Sequence, residues 1–570
     1  MVMGVIDLVK GKNAKKTEIK VTGDKPKIVT GEHAREIDAE TYIEKQVNIL
    51  PEIKTPLDSL HQLPSPPADF TGREKEIREF TKDIQNGVTI SGLQGMGGIG
   101  KTALGLVIAH QLKEQYPDGQ IFLDLRGADM QEPLTAAEVM SHVLRSFQPE
   151  AKLPEEEALL APLYNAVLQG KKVLLFFDNA RGAEQVTPLL PPKGCLTLVT
   201  SRQHFNLSGL KAHNLDTLAP KDARSLVRKI AKGVKAEEAD AISEKCGYLP
   251  LALRLAAGML NTRPDWTPAD LIKKLQDALA LLEPVEVSLQ LSYGLLDEPM
   301  QLHFRELGVF PAPFDKEAVE VIWEVSEEET DKMVGVLLEA SLLEYDRDAG
   351  KYELHDLVRQ YAIKKLCEDE RDEQGARLRH AGHYCDVLRA ANELYLKGGE
   401  NILRGLRLFD VEWIHIQAGQ AWAMEQIGKE ETAAKLCSAY PDAGVYVLDL
   451  RLTPRVRITW LNSALSTARE LKDKMSEGNH LGNLGLAYAA LGDARKAIEF
   501  YEKQLVIVRE IGDRRGEGNS LGNLGNTLYQ LGEKERGIEL MKQALAIYAA
   551  IESPYAEWAR KRLKEWGALD

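Results

Sequence analysis

The sequence predicts a multidomain chain, α/β through its centre and wholly helical in its C-terminal third, with a winged-helix segment between. Three observations carry this. From Phe70 to about Val199, the apolar runs GVTISGL (87–93), GQIFLDL (119–125), KKVLLFFD (171–178) and CLTLVTS (195–201) alternate with helical patterns. Strands separated by helices form a parallel sheet with crossover helices. Between residues 286 and 372, several helices precede LLEYDRDAGKYELH, two short β-prone runs joined by an Asp/Gly turn. Finally, Gly478, Leu481, Gly482, Leu484, Gly485, Leu491 and Gly492 recur 40 residues later at Gly518, Leu521, Gly522, Leu524, Gly525, Leu531 and Gly532. A self-similarity of that period marks stacked helical units.

In chain order, residues 1–66 form a short N-terminal segment. It contains a Lys-rich stretch with Val-Thr-Gly twice in 19–31, then AREIDAETYIEKQVNIL, which reads as a short amphipathic helix. The proline-rich LPSPPAD is a linker. Residues 67–215 are the parallel-sheet domain, and 216–285 are helical throughout, as in DARSLVRKIAKG and PLALRLAAGMLN. The winged-helix segment occupies 286–372 and the helical repeats 373–570, with WLNSALSTARELKDK (460–474) as a weaker earlier copy.

Composition narrows the function. A net charge of −14 argues against the chain as a whole binding a phosphate backbone. The acidic EVSEEETDKM (324–333) would repel DNA from the winged helix, so the wing reads as an intramolecular lid. No apolar run is long enough for a membrane span, and the scattered Cys195, Cys246, Cys367, Cys385 and Cys437 read as reduced thiols in a cytoplasmic protein.

After the first strand comes Gly95-Met-Gly-Gly-Ile-Gly-Lys101-Thr102, which fits G-x-x-x-x-G-K-[ST]. Glycines let successive N–H groups turn toward phosphate oxygens, and the following helix adds the positive end of its dipole. Lys101 would reach the β- and γ-phosphates and the Thr102 hydroxyl would ligate Mg²⁺. Asp178 ends the VLLFFD strand, able to hold a magnesium-bound water, and Arg202 ends CLTLVTSR, able to meet a γ-phosphate. These three, Lys101, Asp178 and Arg202, are the candidate catalytic groups, with Thr102 and Asp178 on the metal. No Asn-Lys-x-Asp guanine-reading motif is present, which favours adenine.

The C-terminal repeats resemble tetratricopeptide repeats of the long bacterial variety. The central motifs FTGRE (70–74), GMGGIGKTAL (95–104), CGYLPLAL (246–253) and LHDL (354–357) together resemble the NB-ARC branch of the signal-transducing ATPases with numerous domains (STAND), and DGQIFLDLRG (118–127), LLFFDNARGAEQVTPLLP (174–191) and LVTSR (198–202) are especially similar to its bacterial antibiotic-regulator members. FTGRE (70–74) is similar to the family's entry motif beside the adenine, implying Phe70, Thr71 and Arg73 as nucleotide-binding residues. GMGGIGKTAL (95–104) is similar to its phosphate loop, implying Gly95, Gly97, Gly98, Ile99, Gly100, Lys101, Thr102 and Ala103. CGYLPLAL (246–253) corresponds to a Gly-Leu-Pro-Leu motif, with Pro250 packing on the adenine. LHDL (354–357) corresponds to the Met-His-Asp motif, with His355 on the β-phosphate of bound ADP. Three residues depart from the pattern: Tyr248 stands for Gly, Leu354 for Met, and Asn179 for a second acid after Asp178.

The resemblance implies a switch that binds ATP or ADP with Mg²⁺, closed with ADP and oligomeric with ATP, hydrolysing slowly as a reset. Its repeats would sense a protein or peptide, its N-terminal segment would engage a separate effector, and its setting would be bacterial defence, with no membrane or nucleic acid as partner. The other readings are a transcriptional regulator acting through a partner and a conventional P-loop ATPase.

Overall fold

The computed structural model describes residues 60–127, 132–278 and 283–569, together with a two-residue antiparallel ladder of Lys27–Ile28 with Ile37–Asp38. That ladder includes Ile37 and Asp38 of the stretch expected as an N-terminal helix; the rest of that stretch and the Val-Thr-Gly pair at 19–31 lie outside the described residues. The chain divides into two compact units, 1–380 and 381–570.

The first unit is built on five parallel strands, β1 (Ile90–Gln94), β2 (Gly119–Asp124), β3 (Val173–Asp178), β4 (Leu196–Ser201) and β5 (Leu210–Asn214), in the order β2-β3-β4-β1-β5. This is the sheet order of a P-loop fold. VLLFF (173–177) is apolar throughout because both faces of β3 are covered: Val173, Leu175 and Phe177 join one core, Leu174 and Phe176 the other. The four expected strands are present. The fifth, LKAHN, is an edge strand with Lys211 and Ala212 exposed and therefore lacks an apolar signature.

Helix α1 (Glu74–Gln85) precedes the sheet and α2 (Lys101–Leu112) follows β1. Gly105 of α2 faces β3 so closely that a Cβ there would sit 2.4 Å from Cζ of Phe176. Helices α3 (Ala136–Phe147) and α4 (Glu157–Leu168) cover the β2–β3 side. Then come α5 (Pro220–Ile230), α6 (Ala236–Lys245), α7 (Pro250–Thr262) and α8 (Pro268–Ala278). Their buried Leu226, Ile242, Leu253 and Leu271 share one core with Leu104 and Ile108 of α2, so the helical segment has no core of its own. Tyr248 explains a departure in the sequence: its φ is 56°, the left-handed region where glycine is usual, at a cost of about 1–2 kcal/mol for a residue with a Cβ.

Helices α9 (Pro284–Gly294), α10 (Glu298–Glu306), α11 (Lys316–Trp323) and α12 (Glu327–Glu339) lead to the hairpin β6 (Glu344–Asp346) and β7 (Lys351–Glu353). Phe314 pairs with Tyr352 as a third rung, and α13 (Asp356–Leu366) leaves the hairpin. The winged-helix expectation matches this arrangement of elements.

The second unit is entirely helical among its described residues. Four helices of 17 residues each, Lys474–Ala490, Ala494–Glu510, Arg514–Gln530 and Lys534–Ala550, repeat with one phase, preceded by Pro454–Glu470 and capped by Tyr555–Glu565. Small residues set the helix spacing. A Cβ at Gly485 would lie 2.3 Å from Cε1 of Tyr501, whereas one at Gly478 would meet only ordinary contacts at 3.5 Å. The Gly485→Ala protein should therefore melt several degrees lower, as overpacking costs about 1–3 kcal/mol. Gly478→Ala should hold or raise the melting temperature, because alanine is the better helix former by about 1 kcal/mol. Calorimetry of both variants decides; equal losses would mean that spacing does not fix these units.

Candidate functional site

The phosphate loop joins β1 to α2. Gly98 and Gly100 have φ of 74° and 90°, conformations open to glycine, and α2 starts directly at Lys101. The Lys101 ammonium folds back over the loop and donates to the carbonyls of Gly95 and Met96, both at 2.9 Å. Ile99 is buried beneath the loop, and its carbonyl accepts from the Arg73 guanidinium at 3.2 Å. Arg73 also donates to the Asp216 carbonyl at 2.7 Å, which ties FTGRE to both sides of the loop. Gly100 faces Pro250, the first residue of α7: a Cβ there would lie 3.7 Å from the proline Cγ.

Asp178 ends β3 beside the first turn of α2. The Thr102 hydroxyl is 3.0 Å from both its carboxylate oxygens, and the Thr200 hydroxyl donates to one at 2.5 Å. Thr200 is in turn fixed by the N–H of Asn179 at 2.9 Å. Burial pushes the Asp178 carboxyl up to about 6, against the pull of Thr200, with Asp356 adding to the rise. Burial also lowers Lys101 to about 8, with Asp178 opposing and Arg202 assisting. Asn179 adopts φ 53°, a conformation asparagine tolerates better than most residues, and its buried amide nitrogen has no hydrogen-bond partner among the described residues.

Arg202 follows β4 and, rather than standing free, pairs with Asp356 of the winged helix at 3.0 Å. Asp356 also pairs with Arg359 at 3.3 Å. The preceding His355 caps α13, its Nδ1 accepting from the N–H of Leu357 at 3.2 Å. Burial holds the imidazole below its ordinary range, the neutral form an accepting Nδ1 requires. The Leu357 side chain then sits on the phosphate loop: a Cβ at Gly97 would lie 3.3 Å from its Cδ1. Arg254 of α7 bonds both Asp69, in the linker, and Glu344, in the hairpin, the latter at 3.1 Å. The linker, helical segment and wing are thus tied together around one loop.

The expected residues largely converge. Arg73, Gly95, Gly97, Gly98, Ile99, Gly100, Lys101, Thr102, Pro250 and Asp178 gather at the loop, and Arg202 and His355 at its contact with α13. Ala103 lies in the first turn of α2, and Phe70 packs on the core shared with Tyr248. The Thr71 hydroxyl donates to the Asp69 carbonyl at 2.7 Å rather than into the loop. Thr200 and Arg254 were not singled out from sequence, and Asp356 and Leu357 stood within LHDL (354–357) without a role of their own. Thr200 carried a signal, standing two residues before Arg202 in LVTSR.

The donors fit a magnesium nucleotide. Left-handed glycines leave room for phosphate, a buried lysine offers a cation, and a hydroxyl and a carboxylate are paired at metal-ligating spacing. No helix among the described residues is long and apolar enough to cross a membrane.

Residues 73–237 match the NB-ARC domain and residues 458–550 the tetratricopeptide repeat. The chain is 33% identical over 389 residues to the regulatory protein AfsR of Streptomyces coelicolor, covering 63% of this chain and 39% of that protein. It is 36% identical over 335 residues to the regulatory protein AfsR of Streptomyces griseus, covering 55% and 34%. The chain thus spans little more than a third of the length of these relatives. It is also similar to a Pyrococcus horikoshii STAND protein with a tetratricopeptide repeat sensor, at 17% identity and a TM-score of 0.40, covering 87% of this chain and 86% of that one.

Proposed function

We propose that this chain, a STAND-class protein with an NB-ARC domain and C-terminal tetratricopeptide repeats of the antibiotic-regulator-like kind, is a regulatory switch controlled by ATP and ADP. The observation that carries the reading is the seat of the winged helix on the phosphate loop: Arg202 on Asp356 at 3.0 Å, with Leu357 against Gly97. A lid so placed makes the nucleotide and the lid parts of one equilibrium. Lys101 and the loop amides would hold the phosphates, Thr102 and Asp178 the Mg²⁺, and Pro250 the adenine. Mg²⁺ would supply charge neutralisation at the terminal phosphates.

With ADP, Arg202 stays on Asp356 and His355 keeps α13 capped, so the chain is closed. A γ-phosphate offers Arg202 a competing anion and favours the open form. A protein or peptide bound by the repeats shifts the balance further, provided that it binds the open form more tightly. The open form assembles into a homo-oligomer and engages a separate effector through the N-terminal segment. Hydrolysis is slow and resets the switch, in the cytoplasm. The similarity to proteins named as regulatory supports an output of regulation; a role in bacterial defence is a narrower form of the same reading.

Titration calorimetry with Mg-ADP and Mg-ATP tests the nucleotide part. Mg²⁺ needs Asp178 ionised and phosphate needs Lys101 charged. Below pH about 6 Asp178 must release a proton on binding, and above about 8 Lys101 must take one up. Affinity should therefore peak between these values and fall on each side by up to about tenfold per pH unit. Two buffers of different ionisation enthalpy should reveal release at pH about 5.5 and uptake at about 8.5. Affinity that is flat with pH, with no proton exchanged, contradicts the assignment.

A further inference from the structure

Helix α4 (Glu157–Leu168) is apolar on both its faces. Inward, Leu160, Tyr164 and Leu168 are buried in the core beside β2 and β3, and the Tyr164 hydroxyl donates to the Leu189 carbonyl at 2.7 Å. Outward, Leu159 is 56% exposed and Leu163 43%, with Ala158, Pro162 and Ala166 exposed between and beyond them. Residues 159, 162, 163 and 166 follow the i, i+3, i+4, i+7 spacing of one continuous stripe. A surface helix ordinarily turns polar side chains to water at those positions, so this stripe has the composition of a contact face.

The rim of the stripe offers acceptors. Glu156 and Glu157 are exposed at its N-terminal end. Pro162 has no N–H to give the carbonyl of Ala158 four residues earlier, which leaves that oxygen without its helical donor on the exposed side. No Lys or Arg lies on the helix; Lys171 and Lys172 come only past its opposite end, where Lys171 sits over the ring of Phe147. An apolar ridge with carboxylates at one end is complementary to an apolar stripe with cations at one end.

We propose that the outer face of α4 is a docking ridge for an amphipathic helix of another protein. The partner's apolar stripe would lie on Leu159 and Leu163, and its lysines or arginines would meet Glu156 and Glu157. The proposal is independent of the nucleotide reading.

The test uses the full chain and a fluorescent synthetic 18-residue helix with leucines at the same spacing and lysines in its first two turns. Binding is measured by anisotropy at two salt concentrations, beside a scrambled peptide of equal composition and one with glutamates in place of the lysines. The patterned lysine peptide should bind, more weakly at high salt, and the two controls should not. The double variant Leu159→Ser/Leu163→Ser should weaken it about tenfold. Glu156→Lys/Glu157→Lys should weaken it and remove the salt dependence. Both variants should stay folded and keep the wild-type nucleotide affinity, with Glu156→Lys/Glu157→Lys melting no more than a few degrees lower because it sets two cations at the N-terminus of α4. Equal binding by the scrambled or glutamate peptide, or unchanged binding by both variants, overturns the proposal. So does self-association of the peptide-free chain that Leu159→Ser/Leu163→Ser abolishes, which would assign the ridge to a second copy.

Discussion

Lys101→Ala should weaken Mg-ATP and Mg-ADP binding by about a hundredfold or more. Lys101 is the cation that lies across the phosphate loop, buried and hydrogen-bonded to the carbonyls of Gly95 and Met96. A phosphate oxygen would replace those carbonyls with a charge-assisted partner in a site screened from water. Removing one partner of such a buried, charged hydrogen bond costs about 3–5 kcal/mol. The fold should survive, since the lysine bonds only to its own loop, and an unchanged melting temperature without nucleotide would establish that. Calorimetric titration reads the loss; a change of less than about threefold would place the phosphates elsewhere.

Asp356→Ala should speed ADP release and favour the open form by about thirtyfold. The aspartate holds Arg202 at 3.0 Å and Arg359 at 3.3 Å, and all three side chains are less than one third exposed. A charged hydrogen bond of that kind contributes about 2 kcal/mol, less where water screens it. Removing it frees Arg202 to approach a γ-phosphate and leaves α13 with the His355 cap alone. Stopped-flow displacement of a fluorescent ADP measures the release. Asp356→Asn, which keeps the size and one acceptor, should fall between the two. Equal release rates in all three proteins would mean that this pair does not restrain the lid.

Features encoded within one short stretch were legible before the fold was known. The phosphate loop, Asp178 at a strand end and the 40-residue repeat each depend on spacing or strand composition, and the four apolar runs became β1 to β4. The fifth strand was hidden because an edge strand half open to water carries Lys211, His213 and Asn214 without penalty. Contacts between distant stretches were hidden for a different reason. Arg202 and Asp356 are 154 residues apart, and nothing local to either states that they meet. The same holds for Arg254, whose partners Asp69 and Glu344 lie on opposite sides of it in sequence. Tyr248 departs from the glycine of the motif, and its place is a left-handed backbone that most side chains avoid. The motifs thus located the parts of the site, and the fold supplied the ties between them.

The central claim is that the nucleotide governs whether the winged helix stays on the phosphate loop. Spin labels at Lys172→Cys and Glu328→Cys, both exposed and one on each side of that contact, measure it by electron–electron double resonance once the exposed Cys367 is replaced by serine. With Mg-ADP the wild-type chain should give one narrow distance. With Mg-ATP a longer population should appear, and it should dominate in the Asp356→Ala protein. One and the same distribution with both nucleotides in both proteins would contradict the account.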